Sequence, residues 1–297
     1  MRAHETDAYV SDVLTSDSGP PPRRPWDQQL LGDELRSRAC DWRSVCVLES
    51  TGSTNADASD AARDGAAHGW TVVAETQAAG RGRLGRSWSS PYGAGIAASV
   101  VVRPRIALDQ VGWLPLLAGV AAADAVRTTA GIDAGLKWPN DVVVTPQVGG
   151  LAKLGGLLVE RVANTDPVAF VVGLGLNIDL YPNEFPTPVT TSVRHLVAQG
   201  LGEMTSREVL LAEFLTNLAG GVARWQAAGG DPQRSGLRDA YVQICRTVGA
   251  TVTVTLPGAR TVTGIARGIG SDGSLIVGTP TGTVEVMAGD VVHVRPA

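Results

Sequence analysis

At 297 residues the chain is too long for one ordinary hydrophobic core, so one large domain plus something smaller is expected. A formal charge of -4 argues against a general nucleic-acid binder, and 44% hydrophobic residues suffice for unaided folding. No stretch approaches the roughly 18 apolar residues of a membrane helix, no basic-then-apolar leader opens the chain, and three scattered cysteines without a C-x-x-C pattern fit a reducing cytoplasm.

Residues 1–25 are polar, acidic and Pro-rich at their end, which reads as a flexible tail or semi-rigid linker. Trp26 to Trp42 holds one short helix with Leu30, Leu31 and Leu35 on one side. Val45–Glu49 reads as a strand. Ser53 is placed to cap a helix that runs to Asp64 and ends at Gly65. Strands are expected at Trp70–Glu75 and Ile96–Val102, and a long Ala/Leu/Val helix at Gln110–Thr129, mildly broken by Pro115. From Gly135 the period turns strand-like, with candidates at 135–138, 142–145, 154–161 and 168–174. Helices over 206–228 and 233–247 follow. Five short strands from Val252 to Val294, with Gly/Pro turns between them, fit a small antiparallel barrel. The expected divisions are 1–44 (tail plus short helix), 45–247 and 248–297.

Gly80-Arg81-Gly82-Arg83-Leu84-Gly85-Arg86-Ser87-Trp88 contains G-x-G-x-x-G after a strand. As a dinucleotide fingerprint it fails, because Pro91, Gly93 and Gly95 stop a helix from starting there and no acidic residue stands about 20 residues on at a strand end. Glycines let backbone amides approach an anion closely, and interleaved guanidiniums supply charge and paired hydrogen bonds. Such a loop can wrap phosphate and carboxylate together; a solvated basic turn is the plainer alternative.

Of the 25 basic residues only Lys137 and Lys153 are lysines. Codon bias with two survivors is one reading; the other is site chemistry that needs a compact point charge arginine does not provide. Lys137 opens Lys137-Trp138-Pro139-Asn140-Asp141, and Lys153 opens an apolar strand containing Gly155, Gly156 and Glu160. Gly173-Leu174-Gly175-Leu176-Asn177 exposes backbone next to an amide side chain. Singly these are weak signals: Lys137 and Asp141 fit a surface ion pair, and Asn177 a strand-end cap. With the Gly/Arg loop they form a cationic pocket for a nucleotide plus a second anion.

These residues resemble the biotin protein ligases. The marks are Ser53-Thr54-Asn55, Gln77 ahead of GRGRLGRSW, KWPND at 137–141, K-L-x-G-x-L-x-E at 153–160 and G-x-G-x-N at 173–177, with a C-terminal pattern like the family's SH3-like domain. The resemblance implies an α/β (α+β) mixed-sheet catalytic domain, shared with lipoate ligases and class II tRNA synthetase cores, followed by an SH3-like barrel. It implies formation of biotinyl-5'-AMP from biotin and ATP with Mg²⁺, then transfer of biotin to a lysine of the biotin carboxyl carrier domain of acyl-CoA carboxylases. By position, Ser53, Thr54, Asn55, Gln77 and Gly156 would line the biotin site. Arg81, Gly82 and Arg83 would cover the biotin carboxylate and adenylate, and Lys153 would reach the carboxylate and the transferring phosphate. Gly80, Lys137, Asn140, Gly173 and Asn177 would face the nucleotide. Asp141 would orient Lys137 or help deprotonate the acceptor lysine. No dedicated metal cluster is visible.

The chain departs from the family where Gly155 replaces a common Ala and where the stretch between Asp141 and Lys153 is long. Members that repress transcription carry a winged helix-turn-helix of about sixty residues, for which the acidic first 44 leave no room. The expectation is therefore a cytoplasmic ligase of the type without DNA binding, monomeric or weakly dimeric, with no nucleic-acid or membrane partner. A biotin-responsive repressor and a lipoate or octanoyl ligase of the same fold are the disfavoured alternatives.

Overall fold

In a computed structural model, residues 20–146, 149–256, 260–287 and 289–293 are described. Residues 1–19 of the expected tail, and Val294 at the expected end of the last strand, lie outside them.

Seven strands form one mixed sheet: β1 (Val45–Thr51), β2 (Thr71–Gln77), β3 (Gly95–Val102), β4 (Ala134–Lys137), β5 (Asp141–Val144), β6 (Ala152–Val162) and β7 (Ala169–Asn177), in the order β1-β2-β3-β7-β6-β5-β4. Only β1 and β2 run parallel, joined by helix α2 (Thr54–Arg63) in the crossover. β3 is buried along its whole length, as its unbroken Gly-Ile-Ala-Ala-Ser-Val-Val-Val run requires of a strand covered on both faces. One face carries α2, packed through Ala58 and Ala62 on Val72, Val101, Val162 and Val171. The other carries α1 (Gln28–Ser37), α3 (Leu114–Ala130) and α5 (Arg207–Ala227), which close the main core around Trp113, Phe214 and Trp225.

Several element ends differ from expectation for local reasons. Pro115 does not break its helix; it sits in the first turn of α3, where its missing N–H costs nothing, after a 3-10 turn at Leu108–Trp113. Gly131, at φ 64, ends α3 with its N–H on the Arg127 carbonyl. The helix expected over 233–247 shrinks to α6 (Leu237–Ile244). Cys245 bridges Leu136 and the Arg246 amide donates to the Leu136 carbonyl at 2.7 Å, so this backbone is drawn out along β4. A short helix, α4 (Val193–Ala198), was not foreseen; Ser192 caps it by accepting from the His195 amide at 3.1 Å.

The five C-terminal strands are β8 (Thr251–Thr255), β9 (Thr261–Ile269), β10 (Leu275–Thr279), β11 (Gly282–Val286) and β12 (Asp290–His293). They form an antiparallel sheet in the order β11-β10-β9-β8-β12, with a bulge at Ile276/Val277. Its turn at 271–273 docks onto the large domain: the Trp113 indole donates to the Ser271 carbonyl at 2.8 Å and the Trp138 indole to the Gly273 carbonyl at 3.1 Å. Among the described residues no helix is long and apolar enough to cross a membrane.

Of the two readings of residues 1–25, flexible tail or semi-rigid linker, the first does not hold from Arg23 onward. The Arg23 side chain is only 8% exposed, and Trp26, Leu31, Leu35 and Trp42 belong to the main core. Composition misses this because the Arg23 side chain binds a backbone carbonyl and carboxylates rather than apolar surface.

Candidate active site

One face of the sheet is paved with small residues. In register across three neighbouring strands stand Gly95, Ala97 and Ser99 on β3, opposite Asn177, Gly175 and Gly173 on β7, and Gly156 and Leu158 on β6 stand opposite Gly175 and Gly173. Because side chains alternate along a strand, all of these share one face. It is the face that carries the start of α2.

At that start Ser53 is buried at the N-cap position, but its hydroxyl makes no cap hydrogen bond. Thr54 donates from both its amide (2.9 Å) and its hydroxyl (3.1 Å) to Gln77 Oε1 at the end of β2. Asn55 Nδ2 donates to Glu160 Oε2 at 2.7 Å, and the Ser99 hydroxyl lies between Asn55 Oδ1 (2.6 Å) and Thr54 Oγ1 (2.8 Å). A Cβ on Gly173 would overlap the Asn55 amide, so glycine there lets Asn55 lie flat across the sheet. Gly173 thus serves the Asn55 side of the site.

The Gly/Arg loop folds back on itself. The Gly82 amide donates to the Arg86 carbonyl at 2.7 Å, and the Trp88 amide to the Gly80 carbonyl at 2.8 Å. Leu84, at φ 56 and 69% exposed, forms the tip. Two of its three arginines face an acid: Arg81 lies 3.4 Å from Glu160 and Arg86 pairs with Asp290 of β12. Arg83 makes no ion pair among the described residues. Burial pushes its guanidinium below the usual arginine range, Asp141 and Asp290 oppose that, and Arg86 adds to it. It remains a cation at neutral pH, partly desolvated and with no ion-pair partner among the described residues. The Trp88 ring lies against Gly175, where a Cβ would collide with it.

Lys153 has two neighbours at its ammonium. Its Nζ lies 2.5 Å from Asp141 Oδ1 and 6.0 Å from the Trp88 ring centroid. Asp141 therefore does not orient Lys137. Lys137 and Asp141 are cross-strand partners at the β4–β5 turn, yet the carboxylate is taken by Lys153, which crosses over Gly156 to reach it. Lys137 makes no ion pair among the described residues. It lies near His293, whose imidazole is pushed below its ordinary value first by burial and then by that ammonium. Asn177 Nδ2 donates to the Thr191 carbonyl at 3.0 Å. Asn140 donates to the Leu157 carbonyl at 2.8 Å. At the departure position Gly155, a Cβ would strike the Gly175 carbonyl and Leu176.

A cavity of about 450 Å³ lies under the loop, lined by Arg81, Gly82 and Arg83 on one side and by Trp138, Asn140 and Glu160 on another. The structure thus joins three groups. Glu160 links the Thr54–Asn55–Gln77 floor to Arg81, and Trp88 links the loop to Lys153 and Asp141. Lys137 stands apart, towards β12. Glu160, Gly175 and Trp88 stand in the motifs but were given no role there, and Ser99 stands in none. The alternation of small residues in β3 and β7 is the signal for Ser99 and Gly175.

Comparison with known proteins matches residues 46–177 to the biotin/lipoate A/B protein ligase family and residues 247–294 to the biotin protein ligase C terminal domain. The chain is 38% identical to the biotin–[acetyl-CoA-carboxylase] ligase of Mycobacterium tuberculosis, over 92% of this chain and 97% of that protein. It is 32% identical to the bifunctional ligase/repressor BirA of Bacillus subtilis, over 82% of this chain and 71% of that one. In fold it is similar to the solved biotin protein ligase from Aquifex aeolicus in complex with biotin and ATP, with a TM-score of 0.66 and 23% identity over 86% of this chain and 100% of that chain.

Proposed function

The chain belongs to the biotin/lipoate A/B protein ligase family, and from that premise we propose that the small-residue sheet face and the Gly/Arg loop above it are where it joins biotin to ATP. The activity is that of an ATP-dependent biotin protein ligase, which makes biotinyl-5'-AMP and passes the biotin to a carboxylase carrier protein. The biotin carboxyl carrier domain, through one lysine, is the acceptor in this reading. Residues 45–247 would carry the chemistry and 248–297 would close the site from the side.

The observation that carries the reading is a cavity lined by Arg81, Arg83 and Glu160, with Asn55 bonded to Glu160 behind it and Lys153 beside Trp88 of the same loop. A carboxylate attacking a triphosphate brings like charges together, so fixed cations at the meeting point lower the barrier. Thr54, Asn55 and Gln77 offer a polar floor for the biotin ring. Lys153, steadied by Asp141, supplies a compact charge where carboxylate and α-phosphate meet. Arg81 and Arg83 cover them. Lys137 extends the positive field on the side of β12. Among the described residues no three His, Cys, Asp or Glu side chains gather to hold a metal, so Mg²⁺ enters in this reading with the phosphates of its substrate.

The test is ATP-dependent transfer of labelled biotin to a carboxylase carrier domain, run beside lipoate. Transfer of biotin but not lipoate is expected, and the reverse preference would overturn the reading. The match of residues 247–294 to a biotin protein ligase domain favours biotin.

A second expectation concerns the loop. Two of its three arginines pair with acids, which offsets their repulsion, and its Gly82 and Trp88 amides are already bonded. Hydrogen exchange should therefore slow on adding biotin and ATP mainly at Arg81 and at Arg83 to Gly85, with Gly82 and Trp88 changing least. Equal exchange across 80–88 with and without substrates would show that the loop does not cover them.

A further inference from the structure

The segment between the expected tail and the first helix crosses the molecule at the site end of the sheet. Its anchor is a buried ion pair, Arg207 Nη1 to Glu75 Oε2 at 2.6 Å, with side chains 7% and 3% exposed. The Trp26 amide donates to Glu75, the Trp26 ring lies 4.5 Å from the Arg207 guanidinium, and Arg207 donates to the Arg24 carbonyl at 2.7 Å. The Asp27 amide donates to Glu208 at 3.0 Å. So tied, the strap delivers Arg23 over Gly93, where φ is 67 and a Cβ would meet the Arg23 Cβ at 2.7 Å.

Arg23 then takes hold of the stretch that follows β7. Its Nε and Nη2 donate to the Asp179 carbonyl at 3.0 and 2.7 Å, and Nη2 pairs with Glu184, which also accepts from the Tyr181 amide at 3.0 Å. The far end of the same stretch grips Lys153. The Lys153 amide donates to the Val189 carbonyl at 2.6 Å, and the Thr191 amide donates to the Lys153 carbonyl at 2.9 Å. Asn177 fixes Thr191 from below. Residues 178–192 therefore form a frame, with Arg23 at one end and the backbone of Lys153 at the other.

We propose that Arg23 is a positioning residue for adenylate formation: through the 178–192 frame it sets the backbone of Lys153, and so the point at which the ammonium meets the two anions. This rests on the functional reading above. It gives the Pro-rich lead segment a role in the site although no atom of it lines the cavity. A two-point guanidinium contact to one carbonyl, backed by an ion pair, fixes a loop in a way that solvent or a smaller side chain does not reproduce.

The experiment compares Arg23→Ala and Glu184→Gln with the full-length wild type. A small displacement of a charged group at a reacting centre is costly, so biotin-dependent pyrophosphate release by Arg23→Ala should fall about tenfold, and transfer from supplied biotinyl-AMP should change less than about twofold. Glu184→Gln should show the same split, more weakly. Because Arg23 acts through Lys153, adding Arg23→Ala to Lys153→Arg should cost less than about twofold more, since coupled positions are not additive. Without any ligand, amides of 178–192 and of Lys153 should exchange faster in Arg23→Ala, with those of β8 to β10 unchanged. Equal losses in both steps, additive losses in the double variant, or unchanged exchange at Lys153 would each overturn the proposal. The exchange comparison needs no substrate, so it decides the role of Arg23 even if the wild type released no pyrophosphate, a result that would count against the functional reading alone.

Discussion

Lys153→Arg is expected to slow pyrophosphate release by about 10²- to 10³-fold, the typical effect of removing one preorganised charge-stabilising group, or roughly 2.7–4 kcal/mol of barrier. The chain uses arginine for nearly every other cation, so a merely solvated charge at 153 would tolerate the change. The surroundings of Lys153 do not. Its side chain passes over Gly156, where even a Cβ would come within 3.4 Å of Cε and Nζ, and ends 2.5 Å from Asp141 beside the Trp88 ring. A planar guanidinium is wider than an ammonium and has to displace Trp88 or part from Asp141. The loss should fall on adenylate formation, where carboxylate and phosphate are both anionic. Single-turnover transfer from supplied biotinyl-AMP should suffer less, because the carboxylate is by then an acyl phosphate. Lys153→Met should lose at least as much as the arginine variant. Near wild-type pyrophosphate release by Lys153→Arg would return this lysine to codon bias.

The same lysine shows how far the sequence could be read. Its strand, its rarity and its place in the motif were all legible. Its partner was not, because four residues from Lys137 to Asp141 suggest a local pair. Pairing was decided instead by register: Asp141 faces Gly156, the bulge at Val142/Val143 shifts the next partner to Lys153, and the bare glycine leaves the path open. At Asn177, the last residue of β7, nothing local shows that its Nδ2 donates to the Thr191 carbonyl, fourteen residues away. Strands were read well where the apolar run was unbroken, as in β3. The helix over 233–247 was overextended because its apolar period continues past Ile244, where the backbone instead pairs with Leu136. Arg23 was the least legible of all, since nothing local separates a linker arginine from one that will be almost wholly buried against Asp179 and Glu184.

Gly175→Ala should cut biotin-dependent pyrophosphate release about 10²-fold, the scale on which a misplacement of about 1 Å reduces rate. One methyl group acts here through geometry. The new Cβ would lie 2.6 Å from Trp88 Cζ2 and 2.8 Å from Nε1, too close for either to stay. The ring has little freedom to give, because the Trp88 amide is bonded to the Gly80 carbonyl, so its displacement pulls on the Gly/Arg loop and shifts Arg81 and Arg83 relative to Lys153. Overpacking of this kind costs about 1–3 kcal/mol of stability, so the variant should still fold and its melting temperature should fall only modestly. Gly268→Ala is the control, since a Cβ there meets nothing within 4 Å and the substitution should leave both stability and rate close to wild type. The decisive comparison is made in a Trp88→Ala background. There the new methyl has no ring to displace, so adding Gly175→Ala should cost little beyond the loss from Trp88→Ala itself. A full further 10²-fold fall in that background would mean that Gly175 is needed for close approach of a substrate to the sheet, not for seating Trp88. Wild-type pyrophosphate release by Gly175→Ala alone would mean that neither role holds, and that the small-residue face is a packing feature of the sheet rather than the floor of the site.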